Sequence, residues 1–186
     1  MKKLIILGCL IVFALSQKDK KEENLDQFLK ATKNCEAGDE KFKKLVLNLT
    51  NEVNDTYNKT NKIFKYVRDK VKYKVYSGSK LGALGTLTKL QGNAVDQTHL
   101  LIALLRTAGI PARYKTGVVS LRFGTLGHVW TQAYFKGKGD SQDKWHDLDP
   151  TSSKNTLEKI KKRKNFSSIY SLNYYLLLVF KMEFKD

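Results

Sequence analysis

The stretch that most constrains the fold is Gly92-Asn93-Ala94-Val95-Asp96 with the apolar run behind it, His99 to Ala108. A Gly-Asn pair marks a turn and a helix start. Leu100, Leu101, Ala103, Leu104, Leu105 and Ala108 are apolar on nearly every side, which fits only a helix buried deep in one core. Gly109 and Pro111 supply the C-terminal stop. Other elements must therefore wrap this helix. Ala94 falls in its first turn, where unpaired N–H groups and the helix dipole favour negative charge. A cysteine there would be a low-pKa nucleophile; the residue is alanine.

Elements before the helix are legible from periodicity. Lys41 to Leu49 reads as a helix with Phe42, Leu45, Val46 and Leu49 on one face. A longer helix starts near Asn54-Asp55-Thr56 and carries Tyr57, Ile63, Phe64, Val67 and Val71. Tyr73 to Tyr76 is extended. Ser77 to Gln91 shows three glycines and no strong periodicity, so it reads as a loop crossing over the site. It lacks the Lys-Ser/Thr element of a phosphate loop. After the helix, Ala112–Leu121 reads as a strand, 123–127 as a turn, His128–Phe135 as a strand and Gly137–Asp143 as a hairpin loop. Lys144–Asp149 is a third strand, stopped by Pro150. The apolar run Ile169–Phe180 is too short to span a bilayer and reads as a last sheet strand. The order predicts an α+β fold with a central helix packed on an antiparallel sheet.

The 186 residues suffice for one domain with a proper core. Lys2 and Lys3 precede an apolar run from Leu4 to Leu15, and Ala14 and Ser16 suit a cut before Gln17. That run spans only about 18 Å as a helix, against ~30 Å of hydrocarbon. Residues 1–16 therefore read as a secretory signal peptide, with an uncleaved membrane anchor or a lipid on Cys9 as alternatives. Residues 17–27 read as a charged linker and 28–186 as the domain. The net charge of +16 suggests an anionic partner, a wall or a membrane surface. Export and the lack of an aromatic-basic motif argue against nucleic acid. A lysine-rich solvated surface is the plain alternative. Asn48, Asn54, Asn58 and Asn165 meet the glycosylation pattern.

With Cys9 in the leader, Cys35 stands alone and reads as a buried small hydrophobe. There is no Cys/His spacing for zinc, and no cofactor or metal is expected.

Gly92-Asn93-Ala94-Val95-Asp96, Gly127-His128-Val129-Trp130 and Lys144 to Thr151 together resemble the transglutaminase-like superfamily. Its members open a central helix with a Cys, place a His on one strand and an Asp on the next, in an Asp-Pro-Thr-type signature. The wording is most similar to the archaeal pseudomurein endoisopeptidases. Asp96 to Leu104, Ala108 to Tyr114 and Ala31-Thr32-Lys33-Asn34-Cys35 resemble them nearly residue for residue, over roughly 28–160. The resemblance implies a papain-like core and a triad at Ala94, His128 and Asp149, with the nucleophile lost. Active members cut the ε-Ala-Lys isopeptide link of wall peptides through a thioester-like acyl-enzyme. Strand parity puts Asp147 and Asp149 on one face; the Asp149-Pro150-Thr151 signature selects Asp149. His99 then reads as helix packing, His146 as facing away, and Trp130 and Trp145 as core. Thr98 lies one turn, about 6 Å, too far along the axis to replace the nucleophile.

The implied protein is a secreted pseudoenzyme that binds cell-wall peptide. A structural or adhesion domain on the same scaffold is the alternative. Another is an active isopeptidase whose Cys was replaced to trap substrate.

Overall fold

A computed structural model describes residues 24–121, 124–157, 159–160 and 166–168. The leader, most of the linker, Asn165 and the apolar tail Ile169–Phe180 lie outside the described residues, so the expected tail strand does too. Leu25–Phe28 forms a short 3-10 turn. Helix α1 is Glu40–Thr50 and α2 is Thr56–Lys70. Both start where an aspartate satisfies an otherwise orphaned N–H: Asp39 accepts from Lys41 and Asp55 from Asn58. Their apolar stripes, Phe42 and Val46 on α1 and Ile63, Phe64 and Val67 on α2, are buried.

The chain then forms a two-residue strand, β1 (Lys72–Tyr73), and a helix, α3 (Gly82–Lys89). A second short strand, β2 (Gln91–Gly92), pairs with β1 in parallel. The expectation of a loop over Ser77–Gln91 is corrected here: its middle is helical. The cause is tertiary and invisible to periodicity. A buried carboxylate, Asp96, accepts the backbone N–H groups of Lys80, Leu81 and Gly82 and so caps α3 from outside.

Helix α4 (Ala94–Thr107) is the core element. Asn93 caps it, its Oδ1 accepting from Asp96 N at 3.0 Å. Every residue from Ala94 to Leu105 is buried, and Gly109 ends the helix at φ 74°. Gly92 makes the entry possible. A Cβ there would stand 3.0 Å from Asp96 Cβ and 3.3 Å from Thr86 Cγ2, so any larger residue would have to push those side chains aside where α3 and α4 converge.

Strands β3 (Ala112–Leu121), β4 (Gly124–Lys136), β5 (Asp143–Leu148) and β6 (Phe166–Ser168) form an antiparallel sheet in the order β5-β4-β3-β6. Strand β4 starts four residues earlier than predicted, because the ladder with β3 continues to Leu121↔Gly124. Gly124 and Gly127 interrupt the side-chain alternation without interrupting the pairing. Ala112, Ala133, Phe135 and Leu148 meet α4 and the stripes of α1 and α2 in one core. This is the expected α+β arrangement of a central helix on an antiparallel sheet. No described helix is long and apolar enough to cross a membrane.

Candidate active site: a histidine–aspartate pair held by a threonine

The sheet alternates, so one residue type faces the core and the next faces away. His128, Trp130, Gln132 and Tyr134 share a face of β4, and register adds Arg113 and Lys115 from β3 and Trp145 and Asp147 from β5. Asp149 follows β5 on that same parity. His128 Nε2 lies 3.0 Å from Asp149 Oδ2. The other carboxylate oxygen, Oδ1, accepts from Thr151 N at 3.0 Å and Thr151 Oγ1 at 2.6 Å. The Asp-Pro-Thr signature thus has a physical meaning: the threonine holds one oxygen and leaves the other for the imidazole.

The pair is nearly dry, with side-chain exposures of 15% for His128 and 8% for Asp149. Burial alone pushes the Asp149 carboxyl up. The His128 hydrogen bond and charge, with both Thr151 bonds, outweigh it and hold the group below its ordinary value. With an ionised carboxylate on Nε2, the neutral ring keeps its proton there and its lone pair on Nδ1. That is the tautomer a general base needs. Trp130, only 2% exposed, stacks on His128 with centroids 5.9 Å apart. Behind Asp149, Asn155 Nδ2 donates to its backbone carbonyl, and Arg68 of α2 donates to Asn155 O.

Ala94 opens α4 and is 8% exposed. It packs with Val95 and with Val129, the residue next to His128 on β4. Val129 meets the helix start from the core face of β4, and His128 lies on the other face of that strand. Alanine brings neither nucleophile nor proton to the helix start.

Asp147 is engaged elsewhere. It accepts from Lys115 Nζ and from Gln132 Nε2. His146 faces the core, stacked on Phe135, with Nε2 3.1 Å from the Phe135 carbonyl. Trp130 is core, as read from sequence. Trp145 is half-buried against Phe28, Tyr134 and the Arg113 guanidinium, which lies 3.8 Å from its ring centroid. Thr98 Oγ1 points to Val129 O at 3.4 Å and is wholly buried.

Asp96 carries a role that the sequence reading did not assign. It is fully buried and accepts from Tyr76 Oη, Ser79 Oγ and the three N–H groups that start α3. Burial, then the Asp96 hydrogen bond, pushes the Tyr76 phenol up to about 12. Tyr76 Oη in turn accepts from Asn93 N at 3.1 Å. The signal was present: a carboxylate inside a wholly buried helix must be saturated with donors. The expected glycine loop over the groove at 81–85 is replaced by this clamp and by α3.

Cys35 sits beside an imidazole, yet in the wrong state for chemistry. Its Sγ lies 3.6 Å from His99 Nδ1 and 2.6 Å from Tyr114 Oη, with no solvent exposure. Burial pushes the thiol up to about 11 and His99 down to about 4. A catalytic thiolate–imidazolium pair needs the opposite. Among the described residues, no group of three His, Cys, Asp or Glu could hold a metal.

Comparison with known proteins agrees with the fold. The profile of the transglutaminase-like superfamily matches residues 43–150, more than half of the chain. A candidate cysteine protease of known structure from Cytophaga hutchinsonii is similar at 28% identity and a TM-score of 0.58. The match covers 71% of this chain and 43% of that one. A candidate protease from Parabacteroides distasonis matches at 20% identity and a TM-score of 0.44, over 72% of this chain and 26% of its own. A TGase matches at 14% identity and a TM-score of 0.42, over 85% and 41%. The chain spans less than half the length of these structures, and no curated protein matches it. With its central helix, antiparallel sheet and His–Asp pair in that profile's span, the chain belongs to the transglutaminase-like superfamily.

Proposed function

We propose that this chain is a peptide-binding relative of the cysteine peptidases, of the pseudomurein endoisopeptidase type, in which Ala94 stands where the nucleophilic cysteine would be. It binds wall peptides carrying ε-linked Ala-Lys and cleaves them poorly or not at all. The observation that supports this most is the His128–Asp149 bond at 3.0 Å, on the strand whose Val129 packs with the start of α4. An imidazole oriented by a buried carboxylate is the base half of a thiol-peptidase triad. The sulfur half is absent at Ala94, and losing the nucleophile of such a unit costs on the order of 10⁶ in rate. What remains is a helix N-terminus and a His–Asp pair of low exposure, both suited to a peptide carbonyl. Export and retention at an anionic wall belong to the same proposal, through the net +14 left when Lys2 and Lys3 of the 34 basic residues go with the leader and 18 acidic residues stay.

The test is rescue. Alanine and cysteine are close in size, so Ala94→Cys should cost under about 1 kcal/mol of stability. The variant should cleave an ε-linked Ala-Lys peptide, while the parent binds the same peptide by calorimetry without product. Binding without rescue would mean that further catalytic parts have drifted. No binding by either form would leave a scaffold or adhesion role and end the peptide reading.

A further inference from the structure

The β4–β5 ladder ends at the pair Thr131↔Leu148, so Asp149 stands one residue beyond it. Its placement passes to the segment that follows. Asn155 is the buried polar side chain of that segment, 3% exposed. A buried amide is tolerated only with its hydrogen bonds made. Asn155 Nδ2 donates to the Asp149 carbonyl at 2.9 Å, and Asn155 N donates to Ser152 O at 3.0 Å. The backbone bond closes a turn, which almost any residue could do. The side-chain bond is not needed for that closure, and it grips the very residue whose carboxylate meets His128.

Arg68, in the last turn of α2, holds Asn155 in turn: Nη1 donates to Asn155 O at 2.7 Å. The guanidinium is itself fixed. Nε and Nη2 donate to the two oxygens of Asp69 at 2.7 and 2.9 Å, and the group lies 5.5 Å from the centroid of the buried Phe64 ring. A two-pronged bond sets the plane of the fork and so the direction of its third nitrogen. The Arg68 side chain is 13% exposed against 47% for Asp69, so the prong on Asn155 is the shielded one. Asp149 is thus pinned at both ends, its carbonyl by Asn155 and its Oδ1 by Thr151, while Oδ2 meets His128.

We propose that Asn155 and Arg68 are positioning residues for the His128–Asp149 pair: they tie the Asp149 backbone to α2, and so fix where Oδ2 stands and which imidazole nitrogen keeps its proton. Neither touches the imidazole. Both act through Asp149, as the supporting shell of a site does. The inference rests on the reading of this pair as the base half of a triad, and it names what holds that base in register.

The experiment reads the imidazole protons and nitrogens of the full chain by NMR at about pH 8, well above the ordinary imidazole value. Loss of signals in His128→Gln assigns them among the three histidines. In the parent, His128 should carry its proton on Nε2, in slow exchange with water. Asn155→Ala should speed that exchange by about tenfold or more and move the proton upfield, since the bond to Asp149 is no longer held. Arg68→Lys keeps the charge but cannot hold both Asp69 and Asn155 O, so it should act in the same direction by about threefold or more. Val46→Ala, a core truncation on α1 that touches none of these bonds, controls for lost stability and should leave the His128 proton unmoved. Exchange in Asn155→Ala no faster than in Val46→Ala overturns the proposal. If Asn155→Ala does not fold, Arg68→Lys decides by the same comparison. A parent whose His128 carries its proton on Nδ1 ends the base reading itself. A parent with the proton on Nε2 and both variants unmoved leaves that reading standing and removes only the positioning role.

Discussion

Asp149 divides its two carboxylate oxygens between two partners: Oδ2 to His128 at 3.0 Å and Oδ1 to Thr151 at 2.6 and 3.0 Å. The division orients the imidazole and stabilises the fold at once. Because the folded carboxyl is held below its ordinary 3.8, its contribution is complete above that pH and is lost as pH falls through the lower folded value. Asp149→Asn should cost about 1–3 kcal/mol at pH 7 by urea unfolding. It should also flatten the acid limb of stability below about pH 4. An unchanged acid limb would show that Asp149 titrates alike in the folded and unfolded chain.

Asp96 is a larger liability. Five donors converge on it with no solvent to replace it. Asp96→Ala leaves Ser79, Tyr76 and the start of α3 unsatisfied, and should cost about 3–5 kcal/mol in thermal or urea unfolding. Hydrogen exchange should place the loss first in residues 76–89, since the carboxylate is what fixes them. A uniform loss across the domain would contradict the clamp.

How much of this was legible follows the range of the forces. Helices α1 and α2 were readable because their stripes and Asp caps are local, as was α4 from its unbroken apolar surface. The His128–Asp149 pairing was readable from the family resemblance and its Asp149-Pro150-Thr151 signature, since strand parity alone left Asp147 open. Helix α3 was not, because its stabilising carboxylate comes from Asp96, fourteen residues beyond Gly82. The start of β4 was missed because Gly124 and Gly127 carry no side chain to mark a face.

Leu90 is held in the left-handed region at φ 47°, where its carbonyl accepts from Lys72 N. Non-glycine residues pay about 1–2 kcal/mol there, and the side chain is 40% exposed, so little burial compensates. Leu90→Gly should raise stability by about 0.5–1 kcal/mol, after the greater freedom of an unfolded glycine is counted. A destabilised variant would show that the Leu90 side chain packs more than its exposure indicates.

His99 gives the sharpest pH signature. Its ring is 1% exposed on α4, and Nδ1 lies 2.6 Å from Tyr114 Oη, which also lies 2.6 Å from Cys35 Sγ. Burial, only partly opposed by the charge of Asp96, brings the folded ring down to about 4 from 6.5. Between those values the unfolded chain takes up a proton that the folded chain refuses, so stability rises with pH across the window. It is complete above about 6.5 and is lost as pH falls toward about 4, ahead of the Asp149 limb. His99→Asn keeps an acceptor where Nδ1 was and removes the titration. That variant should be less stable at pH 7, yet lose less between pH 6.5 and 4, so the two stability curves converge on acidification. Parallel curves would mean that His99 protonates as easily in the fold as outside it, and that the Cys35–Tyr114–His99 cluster is open to water. The same closure predicts that Cys35 resists thiol reagents at pH 8 in the native chain and reacts promptly in urea, as mapped at that residue.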